Sequence, residues 1–381
     1  MFTDFILNGE GSGDVAQQLA GCRFDPGMLR PYYDSQGRKC VTINTGRTEW
    51  NNDTNQQQPV YEKKLISDLI NNGVSSPVFN ATSLRKQEWL QLDQVVIKAA
   101  RERLRAWADL AAANSFGGFN GMAKMVLEHE TMSDPGEAVV DMDGLSEGRT
   151  DAPRFQLEGL PLPITHSDFW FSSRRLAVSR NTGTPLDTSM GEAAGRRVAE
   201  MIEKTLIGTV TGPSYGVAAD YSNAPTVYGY TTHPDRITKT DMTAPTGSNG
   251  GTILNDWLAL RQLLYDGKFY GPFMAYVSAN YAQFLDDEFK ANSDRSLRER
   301  LLALDGINDI RTLDFLTTDN VVILVQMTPD VARAVSGMDL TTVQWESVGG
   351  MRLNFKVMAI QVPQIRSDYN GNCGIAHGTT S

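Results

Sequence analysis

The sequence predicts an α+β fold, in which long helices pack on sheets built from strands that are distant along the chain. Three observations support this prediction. Apolar residues recur at three- and four-residue spacing over 83–114 and 189–208, which is typical of one face of an amphipathic helix. Residues 320–327 form a continuous apolar run, which is typical of a strand buried on both faces. Alternation of apolar and polar residues over 352–359 indicates a strand with one buried face.

The composition is that of a folded, acidic protein. Of the 381 residues, 41% are hydrophobic and 21% are charged, and the formal net charge is −10. A chain of this length can bury a large core, and we expect two structural units, or one unit with excursions. The apolar runs are too short for a transmembrane helix, so we expect no membrane association. Proteins that coat nucleic acid need clustered lysine and arginine, and the negative charge argues against that class.

The N-terminal region predicts an extended arm. Residues 1–80 mix short apolar pieces with polar loops, so we expect them to become ordered by lying on the rest of the protein or on a neighbour. An acidic residue stands near the start, where a signal peptide needs basic residues, and this predicts no export. The odd number of widely separated cysteines favours reduced thiols, with an inter-subunit disulfide as the alternative. These cysteines are Cys22, Cys40 and Cys373.

Residues 83–114 are predicted to form one long helix, and residues 131–166 a hairpin. Its two strands are predicted at Ala138–Met142 and Arg154–Leu160, with a polar, glycine-bearing segment between them. A lone two-stranded hairpin is marginally stable in water and needs another surface to pack on. Because few apolar residues of the hairpin face one side, we expect that surface to belong to a neighbouring subunit.

Residues 189–208 are predicted to form a second long helix. Ser189 and Glu192 match a capping box at its start, and Gly208 suits a left-handed stop at its end. The predicted apolar face consists of Ala194, Val198, Met201, Ile202 and Leu206. The predicted polar face consists of Arg196, Arg197, Glu200, Glu203 and Lys204.

The second half of the chain predicts another compact unit. Residues 209–251 are rich in Gly, Thr, Ala and Pro and indicate a long surface segment, whereas residues 252–345 alternate predicted helices and strands. Gly349 and Gly350 predict a two-residue hairpin turn, after which the chain returns to the first unit. The tail beyond Pro363 is polar.

Three segments in this order resemble the major capsid proteins of tailed phages and their encapsulin relatives, which share the Hong Kong 97 fold. They are Pro161–Leu176, Pro185–Gly208 and Val227–Arg236, and the resemblance extends from about Leu84 to the C-terminus. It implies an N-terminal arm, an extended β-hairpin loop, a peripheral domain with a long spine helix, and an axial domain. The implied boundaries are 1–130 for the arm and arm helix, 131–166 for the extended loop, 167–251 for the peripheral domain, 252–345 for the axial domain, and 346–381 for the peripheral return strand and C-terminal tail.

The resemblance also implies a function in shell assembly. The expected protein forms pentamers and hexamers of an icosahedral phage head, assembled in the host cytoplasm, and encloses double-stranded DNA without sequence-specific binding. Portal, scaffold and cement or decoration proteins are the other implied partners. Some members of the family join subunits by a Lys–Asn isopeptide bond from the extended loop, but this chain has no lysine between Lys124 and Lys204. We therefore expect a noncovalent shell.

The residues expected to make inter-subunit contacts lie on the return strand of the loop and on the spine helix. They are Phe155, Leu157, Leu160, Arg196 and Arg197.

Two other functions fit parts of the sequence. An encapsulin, which is a bacterial compartment that loads enzyme cargo, is the nearer alternative. Encapsulins usually begin close to the arm helix, and the residues ahead of Ser83 favour the phage protein. A serine hydrolase using Ser214 is the remote alternative, because Gly212–Gly216 matches G-x-S-x-G. That motif needs a strand before it and a helix after it, whereas a predicted helix precedes it here.

The remaining motifs do not predict chemistry. The glycines of Asn8–Asp14 lack the spacing of a phosphate-binding loop. Asp141–Asp151 lacks the glycine and glutamate positions of an EF-hand, although weak cation binding between subunits is an alternative there. The four histidines are too scattered to form a metal cluster, and His166 is expected to pair with Asp168 in a structural role. We expect no catalytic residue, cofactor or metal.

Overall fold

The computed structural model describes most of the chain. The described residues are 30–51, 56–72, 84–133, 140, 142–143, 152, 154–182, 188–210, 226–246, 248–288, 295–316, 318 and 320–380. The motifs at Asn8–Asp14 and Gly212–Gly216, the thiol of Cys22 and most of Ala138–Met142 lie outside them.

Helices and strands are interleaved along the described chain. The strands are β1 (Tyr32–Tyr33), β2 (Lys39–Asn51), β3 (Gln56–Leu65), β4 (Leu84–Arg85), β5 (Ser115–Phe116), β6 (Val126–Met132), β7 (Phe155–Pro161), β8 (Thr165–Ser172), β9 (Ile237–Met242), β10 (Phe273–Ser278), β11 (Ile307–Leu313), β12 (Val322–Gln326), β13 (Ala332–Ser347), β14 (Arg352–Ile365) and β15 (Ile375–Thr380). The helices are α1 (Ile66–Asn71), α2 (Lys86–Arg101), α3 (Ala106–Ala113), α4 (Ser173–Thr182), α5 (Ser189–Ile207), α6 (Gly250–Asp266), α7 (Ala279–Leu285) and α8 (Leu297–Leu302).

The long helix α5 packs on a four-stranded sheet of order β5-β13-β14-β8, which we call the spine sheet. β13 and β14 pair antiparallel, and β8 pairs antiparallel with the other side of β14. The predicted strand is confirmed as β14, in which Leu353, Phe355, Val357 and Ala359 are all fully buried. Asn354 and Met358 on its other face are buried too, so the prediction of a single buried face was wrong. The first four side chains belong to one core that also contains the inward faces of α2, α3 and α5.

A second sheet has five strands in the order β11-β10-β12-β15-β9. Every residue of β12 is buried, which confirms the strand predicted in residues 320–327. Helices α6, α7 and α8 cover one face of this sheet, where the indole Nε1 of Trp257 donates a hydrogen bond to the hydroxyl of Tyr281 at 2.8 Å. The opposite face contributes Tyr276 and Ile323 to the core beneath the spine sheet, so the two sheets share buried side chains.

Strand pairing differs from the expected domain boundaries. β13 lies in the spine sheet, although the sequence predicts a single second unit over 252–345. β9 and β15 lie in the five-stranded sheet, although residues 209–251 predict a surface segment and the tail is polar. The reason is that β15 lies between β12 and β9, where its backbone bonds to both neighbours while Ile375 and Ala376 are fully buried. Pairing on both sides, rather than composition, makes this segment a strand.

The helix predicted over 83–114 is two helices, with a break at residues 102–105. The break coincides with a side chain from α5: the carboxylate of Glu203 accepts hydrogen bonds from the backbone N–H groups of Ala106 and Trp107 at 2.7 and 3.0 Å. The first N–H groups of a helix lack partners within the helix, and Glu203 supplies them for α3. The prediction of one continuous helix was wrong because this partner lies about a hundred residues away.

The spine helix follows its prediction at one end only. α5 ends at Ile207 and is followed by Gly208, whose φ of 98° is the predicted left-handed stop. Its N-cap is Thr188, which makes no side-chain capping bond, so the capping box predicted from Ser189 was placed wrongly. Two side chains also lie on unexpected faces: Met201 is 43% exposed and Glu203 is 1% exposed. The other four predicted apolar-face residues are buried.

Helices α2 and α5 approach closely at two glycines of α5. A Cβ atom at Gly191 would lie 2.6 Å from Leu92 Cδ1, and one at Gly195 would lie 2.8 Å from the backbone oxygen of Val96. A leucine tip can move aside, whereas the backbone of a packed helix moves only with its neighbours. Gly195 therefore sets the distance between the two helices.

We expect Gly195→Ala to lower the free energy of unfolding by about 1–3 kcal/mol, because overpacking against Val96 outweighs the gain in helix propensity of about 1 kcal/mol. Chemical denaturation measures the change. The matched control is Gly251→Ala in the first turn of α6, where nothing lies within 4 Å of the added Cβ. That variant should be neutral or stabilised by about 0.4–1 kcal/mol. Equal effects at both glycines would contradict the close-packing argument.

The N-terminal arm is anchored at its base and includes a long hairpin. The hairpin of β2 and β3 joins β1 and β4 in a small sheet of order β3-β2-β1-β4. The indole of Trp89 in α2 donates to the carbonyl oxygen of Pro31 at 3.0 Å and stacks under the guanidinium of Arg30. The described arm therefore lies on the arm helix, as predicted, while Trp50 and Tyr61 on the hairpin remain 57% and 58% exposed.

Candidate functional site

A two-stranded hairpin, β6 with β7, projects from the described chain. The register runs from Val126 opposite Pro161 to Met132 opposite Phe155. The predicted return strand is confirmed as β7, but its described partner is β6 rather than the segment predicted at Ala138–Met142. β6 was not predicted because charged residues occupy alternate positions in this segment, which makes its apolar side difficult to recognise in the sequence. The hairpin therefore starts earlier than residue 131 and is longer than predicted.

The hairpin has a buried base, and its distal part combines exposed apolar side chains with two buried polar residues, Thr131 and Ser133. Leu160 is 6% exposed and packs in a cluster with Val335 and Ile360 of the spine sheet. Phe155 is 63% exposed and Leu157 is 39% exposed. Of the three hairpin residues expected to contact a neighbour, Leu160 is thus covered by its own chain, and the other two present apolar surface to solvent.

A contact between a histidine and a glutamate joins the two strands of the hairpin. His129 and Glu158 lie directly opposite each other, with 3.1 Å between Nε2 and Oε2. The atoms are close but poorly aligned for a hydrogen bond, so the contact is mainly electrostatic. The neighbouring His129 lowers the pKa of the Glu158 carboxyl below its usual value. A cross-strand contact at this position stiffens the hairpin between its base and its distal end.

The spine-helix residues of the expected contact set are also exposed. Arg196 and Arg197 both face solvent on α5, and Arg196 Nε lies 3.9 Å from Glu200 Oε1. The same carboxylate lies 3.8 Å from Arg103 of the segment after α2. The polar face of the spine helix is therefore continuous with the polar face of the arm helix, a juxtaposition that the sequence could not predict.

The described residues contain no group of three or more His, Cys, Asp or Glu side chains that could hold a metal ion. His166 Nδ1 lies 3.4 Å from Asp168 Oδ1, and Lys356 Nζ lies 3.7 Å from the other oxygen of that carboxylate. All three side chains are partly exposed on β8 and β14, which is the geometry of a surface ion-pair network. The predicted proximity of His166 to Asp168 is present.

A group of buried polar side chains lies where α3 and α5 meet the five-stranded sheet. Burial raises the pKa of Glu203 to about 7, against the opposing effect of its backbone hydrogen bonds. The hydroxyl of Tyr276 donates to Asp109 of α3 at 3.3 Å, and Arg311 of β11 forms an ion pair with the same carboxylate. Burial also raises the pKa of Tyr276 and of Tyr230, so both phenols stay protonated. These residues connect the spine helix to the five-stranded sheet, and the sequence placed Glu203 on an exposed face.

The two described cysteines are buried thiols. Cys40 and Cys373 are free and 0% exposed. Burial raises the pKa of both thiols, to about 12 for Cys373. A buried, protonated thiol is a poor partner for disulfide formation, which disfavours the inter-subunit disulfide for these two residues.

Comparison with known families gives a match that covers most of the chain. A model described as a family of unknown function, DUF6260, matches residues 80–378. The chain belongs to this family. The matched region begins close to Leu84, where the resemblance in the sequence also begins. No curated protein matches the DUF6260 chain.

Two solved structures resemble the DUF6260 chain over most of its length. The first is the virus-like particle from Pyrococcus furiosus, at 17% identity and a TM-score of 0.50, covering 76% of this chain and 98% of that one. The second is the capsid of Myoviridae Phage XM1, at 11% identity and a TM-score of 0.52, covering 71% of this chain and 92% of that one. Similarity at these identities establishes the fold. The DUF6260 chain has the Hong Kong 97-type capsid fold predicted from its sequence.

Within the described residues, no helix is long and apolar enough to cross a membrane.

Proposed function

We propose that this chain is a capsid shell protein that self-assembles into a closed particle through many copies of the same few contacts. The observation that supports the proposal most directly is the projecting hairpin on a Hong Kong 97-type fold, with Phe155 and Leu157 left uncovered by their own chain. A two-stranded hairpin with exposed apolar residues gains stability by packing on another surface. In a shell, that surface belongs to the next copy.

The contact would be heterologous, because the hairpin of one copy meets a different surface of its neighbour. Heterologous contacts close into rings when the rotation between copies permits, and pentamers and hexamers are the rings that build an icosahedral shell. The absence of lysine between Lys124 and Lys204 favours noncovalent contacts in this loop. Individually weak contacts can still hold a shell, because each subunit makes several of them at once.

Electron microscopy of the chain expressed alone, with size analysis, tests this function. Closed particles or capsomer rings are the expected result, and a stable monomer under all assembly conditions, including added scaffold, would oppose it. The contents of the particles then distinguish two functions of the shell. Double-stranded DNA inside them supports the phage head that we propose. In that virion the partners would be portal, scaffold and cement or decoration proteins. Enzyme cargo would instead support the encapsulin. Ser214 lies outside the described residues, and no observation favours the hydrolase.

We expect Phe155→Ser to raise the protein concentration needed for assembly by about 10- to 100-fold. Burying a phenylalanine side chain contributes about 1.5–3 kcal/mol, and each 1.4 kcal/mol corresponds to a factor of ten. Sedimentation velocity measures the assembled fraction, and Leu157→Ser should add to the effect. Because Phe155 is 63% exposed in the single chain, the thermal unfolding of the unassembled variant should match that of the wild type.

Met351→Ser provides the matched control for this variant. Met351 is 61% exposed and lies in the loop between β13 and β14, away from the hairpin. Assembly of this variant should be unaffected. If the double variant Phe155→Ser/Leu157→Ser assembled normally, the hairpin would not form the proposed contact between copies.

A further inference from the structure

Three of the four histidines lie around one segment of the chain. We call residues 227–236 the junction segment; along the chain it lies between the spine helix α5 and the edge strand β9. His233 belongs to this segment, and His377 lies on β15, which pairs with β9. His129 contacts Glu158 on the hairpin, and Glu158 in turn acts electrostatically on His233. The spacing of the histidines in the sequence gave no indication of this grouping.

The junction segment connects three parts of the subunit. Its first residue, Val227, is 1% exposed and packs in a cluster with Leu160 at the base of the hairpin. The backbone N–H groups of Tyr230 and Thr231 donate to the carbonyl oxygens of the last two residues of α5, at 2.8 and 2.9 Å. At the other end of the segment, Arg236 reaches β15 of the five-stranded sheet. A change in this segment therefore acts on the hairpin, the spine helix and the five-stranded sheet together.

The guanidinium of Arg236 bridges two of the histidines. Its Nη1 donates to the carbonyl oxygen of His233 at 2.7 Å, and its Nε donates to Nδ1 of His377 at 3.4 Å. The backbone N–H of Asp235 donates to Nδ1 of His233 at 3.3 Å. An imidazole nitrogen accepts a hydrogen bond only when it carries no proton. The geometry of the junction therefore requires both of these histidines to be neutral.

Burial favours the neutral form of both rings. His233 is 6% exposed, and burial lowers its pKa; the carboxylates of Asp235 and Glu158 act in the opposite direction, whereas Arg236 acts with burial. Burial also lowers the pKa of His377 to about 4, and the charge of Arg236 adds to this effect. Arg366 is a further cation at the junction, and its charge acts on Glu158. Both histidines therefore bind protons at a lower pH than an exposed histidine, whose pKa is about 6.5.

We propose that the junction segment is an acid-sensitive connection between the hairpin, the spine helix and the five-stranded sheet. A proton on Nδ1 of either histidine would meet a hydrogen-bond donor and leave that donor without an acceptor. Protonated His377 would also place a second positive charge beside Arg236. Both hydrogen bonds are then lost, and the segment loosens together with β9, which follows it directly. The loosening occurs within one subunit and does not depend on the proposed shell function.

The sign of the pH dependence follows from the lowered pKa values. A histidine whose pKa is lower in the folded chain stabilises the closed junction fully above about pH 6.5. This stabilisation is lost as the pH falls towards about 4, the pKa of His377. A local measurement is needed, because burial raises the pKa of Glu203 to about 7 and makes global stability change in the opposite direction.

Hydrogen exchange measured by mass spectrometry at pH 5 and pH 7 provides this local measurement. The chain is kept below the concentration at which particles form. After correction for the intrinsic effect of pH, residues 227–242 should exchange at least about tenfold faster at pH 5, because the open segment binds protons that the closed segment excludes. Equal exchange at the two pH values would overturn the proposal.

The double variant His233→Asn/His377→Asn separates the two histidines from other titrating groups. The side-chain oxygen of asparagine accepts hydrogen bonds as Nδ1 does, but it carries no charge at either pH. Exchange of residues 227–242 in this variant should differ between the two pH values by less than about twofold. The matched control is His166→Asn, at the exposed histidine on β8, which should keep the wild-type pH dependence. A tenfold difference that persists in the double variant would assign the effect to other groups and overturn the proposal.

Nuclear magnetic resonance of the histidine rings gives a second test, made on the wild type, that needs no folded variant. At pH 7 both rings should show an unprotonated Nδ1, and His377 should titrate with a midpoint below about pH 5.5. A midpoint for His377 at or above about pH 6.5 contradicts the acid-sensitive junction. A chain that never forms particles leaves each of these results unchanged, so failure of the shell function and failure of the junction are distinguishable.

Discussion

Phe355→Ala is expected to lower the free energy of unfolding by about 3–5 kcal/mol. Phe355 is fully buried in β14, at the centre of an aromatic group beneath α2 and α5. Its ring stacks on Phe169 at 5.2 Å between centroids and meets Phe171 and Trp89 edge-on at 5.6 and 6.0 Å. Removing the ring leaves a cavity that three rigid aromatic neighbours cannot fill, so the loss should be near the upper end of this range.

Denaturant unfolding of the unassembled chain measures this loss, and Met351→Ala, at an exposed position four residues earlier, should change stability by less than about 0.5 kcal/mol. Assembly should fail for Phe355→Ala because the subunit itself is destabilised. That distinguishes it from Phe155→Ser, for which the subunit stays folded and only the contact is lost. A destabilisation of Phe355→Ala below about 1 kcal/mol would mean that the spine core repacks freely and does not depend on the aromatic group.

Local signals in the sequence were sufficient for much of this fold. Ser296 followed by Glu299 is a local helix-start pattern, and the Ser296 hydroxyl caps α8 by accepting the N–H of Glu299 at 3.3 Å. β12 was found from a continuous apolar run and β14 from an alternation of apolar and polar residues. In each case the physical cause lies within a few residues of the feature.

Features that depend on distant partners were missed. β15 becomes a strand because β12 and β9 lie on either side of it, and α3 begins at Ala106 because Glu203 caps it. The capping box expected at Ser189 competed with the neighbouring Thr188, which is the N-cap. A sequence window does not contain the distant partners of β15 and α3, and it does not decide between two adjacent residues that can both cap a helix.

The candidate assembly surface was predicted in part. Phe155 and Leu157 are exposed on the hairpin, as a contact with a neighbour requires. Leu160, predicted with them from the same strand, is buried, because it lies on the opposite face of β7 near the base of the hairpin. Arg196 and Arg197 were predicted on one helix, but their proximity to Arg103 was missed. It arises because α2 packs on α5 at Gly195, and a contact between helices about a hundred residues apart leaves no periodic signal.

Glu203→Leu is expected to destabilise the subunit by about 2–5 kcal/mol, because it leaves the buried N–H groups of Ala106 and Trp107 without an acceptor. Leucine is well tolerated in a helix, so the loss reports the missing hydrogen bonds and not helix propensity. Glu200→Leu, on the same helix, is the control. Its carboxylate makes only long, partly exposed ion pairs, and its loss should cost less than about 1 kcal/mol. Similar costs for the two variants would contradict the capping role.

The same carboxyl makes stability depend on pH. Because burial raises the pKa of Glu203 from 4.5 to about 7, the folded chain holds a proton there that the unfolded chain releases. The stabilisation that this bound proton contributes to the folded state is therefore fully present below pH 4.5 and is lost as pH rises to about 7. The loss amounts to about 3 kcal/mol from a shift of that size. Asp109 strengthens the effect through its negative charge, whereas the N–H groups of α3 oppose it.

Glu203→Gln cannot titrate, so the difference in unfolding free energy between wild type and this variant should fall between pH 4.5 and 7 and stay constant above pH 8. Parallel pH profiles of the two proteins would show that the Glu203 carboxyl keeps an ordinary pKa. Glu203 would then cap α3 as an ionised carboxylate throughout this pH range.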